Sequence, residues 1–342
     1  MQKNNNILIV GAGLSGATIA RELAENGYEV LIIDKKQHIA GHCFDFISSD
    51  GIRIHKYGPH IFHTSNQLVI DWLKKFTKWV NYEHKVLAKL NNGETVPFPP
   101  NIETLKSVGY DDLIDTFYRP YTEKMWGKSL EELNPKIINR VPIRSDDEDR
   151  YFPKDKFQKL PYEGYTKLVE NILTHPSIKI QLNTCFDESM QKDVLHTFNS
   201  MPIDEYFNFC FGELPYRSIK FHHRTLDKRK ENSNSVINFT DKSKYTRETE
   251  WKNFPAHGNN PFKTQLTKEE PCDYRDNNFE RYYPIIDANG ENRKKYNKYK
   301  KIIPKNTTFI GRCGQYVYID MDQAISSSLA LSRKFMESRG IN

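Results

Sequence analysis

The chain has 342 residues, 37% of them hydrophobic and 27% charged, and a net charge of +6 from 50 Lys and Arg against 44 Asp and Glu. That length can bury a large core, no run approaches the roughly 20 apolar residues that span a bilayer, and the charge excess is too small to point to nucleic acid. Five widely spaced cysteines without a CxxC pair indicate neither a disulfide framework nor a zinc site, and the N-terminus leads straight into a strand, so a cytoplasmic protein without membrane insertion or metal is expected.

The first element is the most informative. Ile7 to Val10 is an apolar run that stops at Gly11-Ala12-Gly13-Leu14-Ser15-Gly16; a helical pattern follows, and Val30 to Ile33 is a second apolar run ending on Asp34. Strand, glycine turn, helix and strand form a dinucleotide-binding unit. In it Gly11 permits the turn, Gly13 admits a pyrophosphate, and Gly16 lets the helix pack on the strand. Asp34 stands where a carboxylate accepts hydrogen bonds from a ribose diol, and Lys35 adjoins it.

Ile52 to His55 and Val80 to Phe98 read as strands and a hairpin turning at Asn91-Asn92-Gly93. Asp111 to Trp126 and Ser129 to Asn134 have helical spacing and suggest a small helical insert. Gly164 to His175 and Ile178 to Leu182 resume an α/β alternation, and Tyr216 to about Ile286 reads as strands with long polar loops. The Lys-rich stretch Arg293 to Lys301 fits a solvated helix face. A last strand, Thr307 to Ile310, ends at Gly311-Arg312, ahead of a helix from Met321 to Met336. A second strand-to-helix junction that faces a dinucleotide favours FAD over NAD, because an NAD domain needs no such closing unit. The expected fold is therefore α/β. It combines an FAD-binding Rossmann-like domain of the glutathione-reductase type with a small helical insert and an antiparallel β-sheet domain. Residues 1–65, 153–215 and 300–342 are assigned to the first, 99–140 to the insert, and 78–98 with 216–290 to the sheet.

Six segments in order, Ile54 to Thr64 (IHKYGPHIFHT), Tyr121 to Gly127 (YTEKMWG), Arg140 to Arg144 (RVPIR), Val236 to Asp241 (VINFTD), Tyr245-Thr246-Arg247 and Tyr282-Tyr283-Pro284, resemble the signatures of bacterial UDP-galactopyranose mutases. The resemblance implies an isomerase that interconverts pyranose and furanose forms of a nucleotide-linked sugar, most simply UDP-galactose, through attack of reduced FAD N5 on the anomeric carbon. It implies Arg140 and Arg247 on the diphosphate, where fixed guanidinium groups neutralise an expelled dianion. Tyr151, Tyr283 and Tyr318 fall around diphosphate and sugar, and Asn238 and Trp126 near the sugar. Phe117, Tyr118, Tyr121 and Thr122 fall near the base. The resemblance implies His60 and His63 as flavin contacts rather than metal ligands, with His60 close to the chemistry. Gly41, Arg312, Asp320, Met321 and Gln323 complete the cofactor set. A polar loop from Asn238 to Arg247 is expected to close over the substrate.

The chain departs from the family pattern at Ala40-Gly41-His42, where a Gly-Gly-Asn turn is usual, at Pro59, and in a short segment between Pro100 and Tyr121. A TDP-linked sugar such as TDP-fucopyranose remains an alternative substrate. A redox flavin oxidase or dehydrogenase, and a non-catalytic dinucleotide-binding protein, remain alternative functions. The expected partners are a UDP- or TDP-linked hexose and a reductant such as NAD(P)H, with a homodimer possible.

Overall fold

The computed structural model describes residues 5–133 and 142–340. The strand Asn6–Val10 is central in a five-stranded parallel sheet in the order Ile178–Gln181, Glu29–Ile33, Asn6–Val10, His196–Asn199, Thr307–Phe309. Ile7, Leu8 and Ile9 are almost wholly buried, as expected of a strand covered on both faces. The helices Leu14–Glu25 and Met321–Glu337 pack against each other beside this sheet, so the two elements that open toward a dinucleotide are neighbours although about 300 residues separate them.

A seven-stranded sheet runs in the order Tyr283–Pro284, Tyr216–Leu226, Thr264–Asp273, Arg247–Glu250, Val236–Phe239, Val86–Lys89, Thr95–Phe98. It is antiparallel except where Val236–Phe239 lies parallel to Val86–Lys89, so the sheet is mixed rather than wholly antiparallel. The hairpin Val86–Lys89/Thr95–Phe98 closes through Leu90 and Glu94. Trp79–Asn81, however, pairs instead with Phe157–Pro161, beside Phe62–Thr64, in a third sheet. A hairpin pattern cannot distinguish one long strand from two that part company at Tyr82.

Of the helical insert assigned to residues 99–140, residues 99–133 are described. Ile102–Val108 is capped by the Asn101 side chain, a π-turn spans Ile114–Tyr118, and Arg119–Trp126 follows with Pro120 in its first turn, where a missing N–H costs nothing. The helix expected from Ser129 shrinks to the 3₁₀ turn Leu130–Glu132, closed by a Ser129/Glu132 capping box. Among the described residues no helix is long and apolar enough to cross a membrane.

Candidate active site

Two cavities meet in the middle of the molecule. The first, of about 310 Å³, opens over the carboxyl ends of the parallel strands and is lined by the glycine turn, Asp34, Lys35, Gly41, Ser200 and Arg312, among others. The second, of about 770 Å³, lies against the inner face of the seven-stranded sheet and the helix Arg119–Trp126. His60, Arg312, Asp320 and Met321 belong to both walls and mark the junction.

At the glycine turn the first cavity is shaped by main chain. Gly11 has φ +104°, and a Cβ on it would fall 1.9 Å from Ser200 Oγ; one on Gly16 would fall 2.0 Å from the Gly11 carbonyl oxygen. Protein packing thus enforces both glycines. Gly13 differs: the nearest atom to a Cβ placed there is Gly41 Cα at 3.7 Å, an ordinary contact, so what a side chain there would fill is the cavity itself. The helix Leu14–Glu25 has no side-chain cap, which leaves its first amides directed at the cavity. Asp34 is buried, and its two oxygens accept from Ala12 N–H at 2.8 Å and Lys36 N–H at 2.9 Å; it braces the glycine turn and keeps lone pairs for a diol. These residues fit a dinucleotide with a pyrophosphate against Gly13. Gln323 lies outside both walls. Its side chain accepts from Asp320 N–H at 3.1 Å in the capping box that starts Met321–Glu337, so it orders the helix end instead of facing the cavity. His63 faces the second cavity, stacked on Phe152 at 3.5 Å and bonded to Asp155 at 2.7 Å, and does not reach the first.

The second cavity is shaped by side chains. Its wall brings together Phe117, Tyr118, Tyr121, Thr122, Trp126, Tyr151, Asn238, Arg247, Tyr283, Tyr318 and His60. Arg140 falls outside the described residues. Asn238 and Arg247 sit opposite each other in the ladder of Val236–Phe239 and Arg247–Glu250. The turn between them is tied by Lys124, whose buried ammonium donates to the carbonyls of Phe239 and Tyr245 at 3.1 and 3.0 Å. Arg247 therefore stands at the cavity wall without any closure of its loop.

Arg247 donates to Tyr121 Oη at 3.1 Å and approaches Glu269, its partner in the next strand, to 3.3 Å. Burial disfavours its charge, but Glu269 and the surrounding tyrosines outweigh that and keep the guanidinium charged, whereas burial pushes the Glu269 carboxyl up against the pull of Arg247. Glu269 Oε1 and Asn238 Oδ1 are buried without a hydrogen-bond partner among the described residues, and Arg247 Nε has only its ion pair with Glu269 Oε2. Buried groups of this kind call for a polar ligand. Tyr283 and Tyr318 stack at 5.1 Å, with the Arg312 guanidinium 4.8 Å from the first ring and 5.7 Å from the second; Trp126 adjoins both. Arg312 is itself held by the carbonyls of Tyr282 and Ile319.

At the junction His60 donates Nδ1–H to the Gly58 carbonyl at 2.8 Å, which leaves Nε2 as a bare acceptor, and burial lowers its pKa to about 4. Its main-chain N–H donates to His55 Nδ1 at 3.1 Å, His55 Nε2–H to His257 Nε2 at 3.0 Å, and His257 Nδ1–H to the Pro255 carbonyl at 2.9 Å. Three neutral imidazoles thus anchor the main chain at the junction. Neither Glu269 nor His257 is apparent in the sequence, since strand register alone sets the first and a contact across 202 residues the second. Among the described residues no group of three His, Cys, Asp or Glu side chains is placed to hold a metal ion.

The UDP-galactopyranose mutase family model matches residues 116–318, and a model of NAD(P)-binding Rossmann-like domains matches 9–76. A UDP-galactopyranose mutase of Mycoplasma genitalium is 34% identical over 385 residues, covering 97% of this chain and 95% of its own; that alignment is longer than this chain, so the relative carries segments that are absent here. A dTDP-fucopyranose mutase of Escherichia coli is 31% identical, covering 98% of this chain and 99% of its own. A crystal structure of a reduced UDP-galactopyranose mutase superimposes with a TM-score of 0.79 at 15% identity, over 98% of this chain and 94% of that one, and shares the fold.

Proposed function

The chain belongs to the UDP-galactopyranose mutase family, and from that premise we propose that it is an FAD-dependent isomerase interconverting UDP-galactopyranose and UDP-galactofuranose. The observation that carries this is the half-buried Arg247, charged and ringed by Tyr121, Tyr283 and Glu269, in a cavity that joins the dinucleotide cleft at His60 and Arg312. A diphosphate site next to a flavin serves no simple amine or alcohol oxidation.

When bound and reduced, FAD supplies a nucleophilic ring nitrogen for the anomeric carbon. The glycine turn, the amides of Leu14–Glu25 and Asp34 would hold its pyrophosphate and ribose, and Arg312, Asp320 and Met321 its reactive end. Arg247 would take the diphosphate, where a fixed guanidinium neutralises the leaving group without reorganisation. Tyr151, Tyr283 and Tyr318 would donate to the phosphates and lie against the sugar, and Asn238 Oδ1 would accept from a sugar hydroxyl. Phe117 and Tyr118, with Phe98 5.8 Å from Phe117, would stack on the base. His60 Nε2 would accept a hydrogen bond at the junction, and burial keeps it neutral for that purpose. In the same reading, residues 1–65, 153–215 and 300–342 hold the cofactor, NAD(P)H reduces it, and the protein works in the cytoplasm as a monomer or homodimer.

The test offers dithionite-reduced protein a panel of UDP- and TDP-linked hexoses and resolves the products chromatographically. UDP-galactofuranose from UDP-galactose is the expected product. Faster conversion of TDP-fucose reassigns the substrate, and turnover of no nucleotide sugar removes the proposal.

A further inference from the structure

The segment Asn277–Arg281 leaves the seven-stranded sheet and crosses the cofactor cavity. It starts from a fixed point, because Asn277 Nδ2 donates to Ser218 Oγ at 2.8 Å and to the Ile219 carbonyl at 3.1 Å. Asn278 and Phe279 then take left-handed backbone conformations, φ +50° and +57°, although neither is glycine. Two successive residues of this kind are unfavourable and persist only when their surroundings demand the turn. What the turn achieves is to aim Glu280 and Arg281 into the cavity wall.

Their charges then reach opposite flanks. Glu280 Oε1 accepts from Lys36 Nζ at 2.7 Å and from His42 Nε2 at 2.7 Å, and the His42 ring stacks on Tyr282 at 4.2 Å. Arg281 Nη1 donates to Glu205 Oε2 at 2.5 Å, and its guanidinium lies 4.7 Å from the Tyr274 ring. Lys36 and His42 follow the strand Glu29–Ile33, and Glu205 follows His196–Asn199. These strands lie on either side of Asn6–Val10, whose carboxyl end is the glycine turn. With neighbouring strands about 4.8 Å apart, Glu280 and Arg281 span roughly 10 Å over the place where a pyrophosphate would lie. His42 belongs to the Ala40-Gly41-His42 segment that departs from the family's Gly-Gly-Asn turn, and here it is a partner of Glu280. Burial pushes the Glu280 carboxyl up, yet His42 and Lys36 outweigh burial and hold it well below the usual carboxylate range.

We propose that Glu280 and Arg281 form a two-armed strap across the dinucleotide, closed on one side by Lys36 and His42 and on the other by Glu205, and that this strap retains FAD. The proposal rests on FAD being the cofactor. Its arms are positioning groups: they hold the exit shut and take no part in the sugar chemistry. Phe279, exposed on the cavity wall, marks the mouth that the strap controls.

The test is the rate of FAD release, followed as recovery of free-flavin fluorescence after rapid dilution of the loaded full-length protein to a concentration at which released FAD does not rebind. The variants are Glu280→Gln and Glu205→Gln, alone and together, with FAD affinity measured by titration of the apoprotein. Each single variant is expected to release FAD about tenfold faster than the wild type, and the double variant faster still, with melting of the loaded proteins confirming that they are folded. Release at the wild-type rate from folded Glu280→Gln and Glu205→Gln, while the wild type holds FAD, overturns the strap alone. A wild-type protein that takes up no FAD overturns the strap and the cofactor reading together.

Discussion

Around the glycine turn, the groups that face the cofactor cleft are chiefly main-chain amides and the bare Cα of Gly13, and the one buried acid, Asp34, spends an oxygen on each of two backbone N–H groups. Beyond His60 the situation is reversed. There the wall is Arg247, Glu269, Asn238, Trp126 and several tyrosines, Tyr121, Tyr151, Tyr283 and Tyr318 among them, and the backbone only positions them. A site made of main chain is damaged by adding atoms, and a site made of side chains by removing them.

The sharpest way to break that contrast is Gly16→Ala. A single methyl placed 2.0 Å from the Gly11 carbonyl oxygen should cost at least about 3 kcal/mol and abolish FAD loading, because the helix start must move off the strand. The measurement is the flavin absorbance of the purified variant together with its melting temperature. Normal loading would mean that the turn is not held as described.

Arg247→Ala tests the other side. It should leave FAD loading intact and cost about 2–4 kcal/mol in transition-state stabilisation, from the loss of a charge-directed donor and the isolation of buried Glu269. Steady-state kinetics with UDP-galactose on the reduced, flavin-loaded variant checks it, and unchanged kcat/KM would remove Arg247 from the diphosphate.

Acid sharpens the comparison further. Burial lowers His60 and His257 to about 4 from 6.5, so between these values the unfolded chain binds more protons than the folded one. Stability is full above about pH 6.5 and is lost as pH falls toward 4, by on the order of 2–3 kcal/mol per histidine. His257→Gln should flatten this loss in melts between about pH 4 and 6.5, the window set by the folded and unfolded pKa values; an identical slope would mean that His257 does not titrate with folding. The smallest effect is expected of Gln323→Ala, which removes half a capping box, costs under about 1 kcal/mol, and leaves FAD affinity unchanged, as circular dichroism melts and flavin titration will show.

The two regions also differ in how legible they are. The glycine turn can be read because its parts fall within 28 residues and each answers a local steric demand: Gly11 a positive φ, Gly16 a close contact, Asp34 a fixed distance from Gly13. The residues of the second cavity are scattered from His60 to Tyr318, and no spacing rule unites them. Successive motifs locate Arg247 and Tyr283 but not Glu269, whose place opposite Arg247 depends on strand register. Gln323 stands at the helix start that the pattern indicates, but its side chain is engaged in capping, which no spacing rule announces. The strap has no local signal at all, since Lys36, His42 and Glu205 meet Glu280 and Arg281 only in the folded chain.

The central claim, that the two cavities form one site in which a reduced cofactor meets a nucleotide sugar, is tested most directly by anaerobic turnover of UDP-galactose. Dithionite-reduced, FAD-loaded protein is predicted to form UDP-galactofuranose over many turnovers while its flavin stays reduced, and the same protein oxidised in air is predicted to be inactive. Equal turnover by the oxidised protein, or oxidation of one flavin for each sugar consumed, would contradict it.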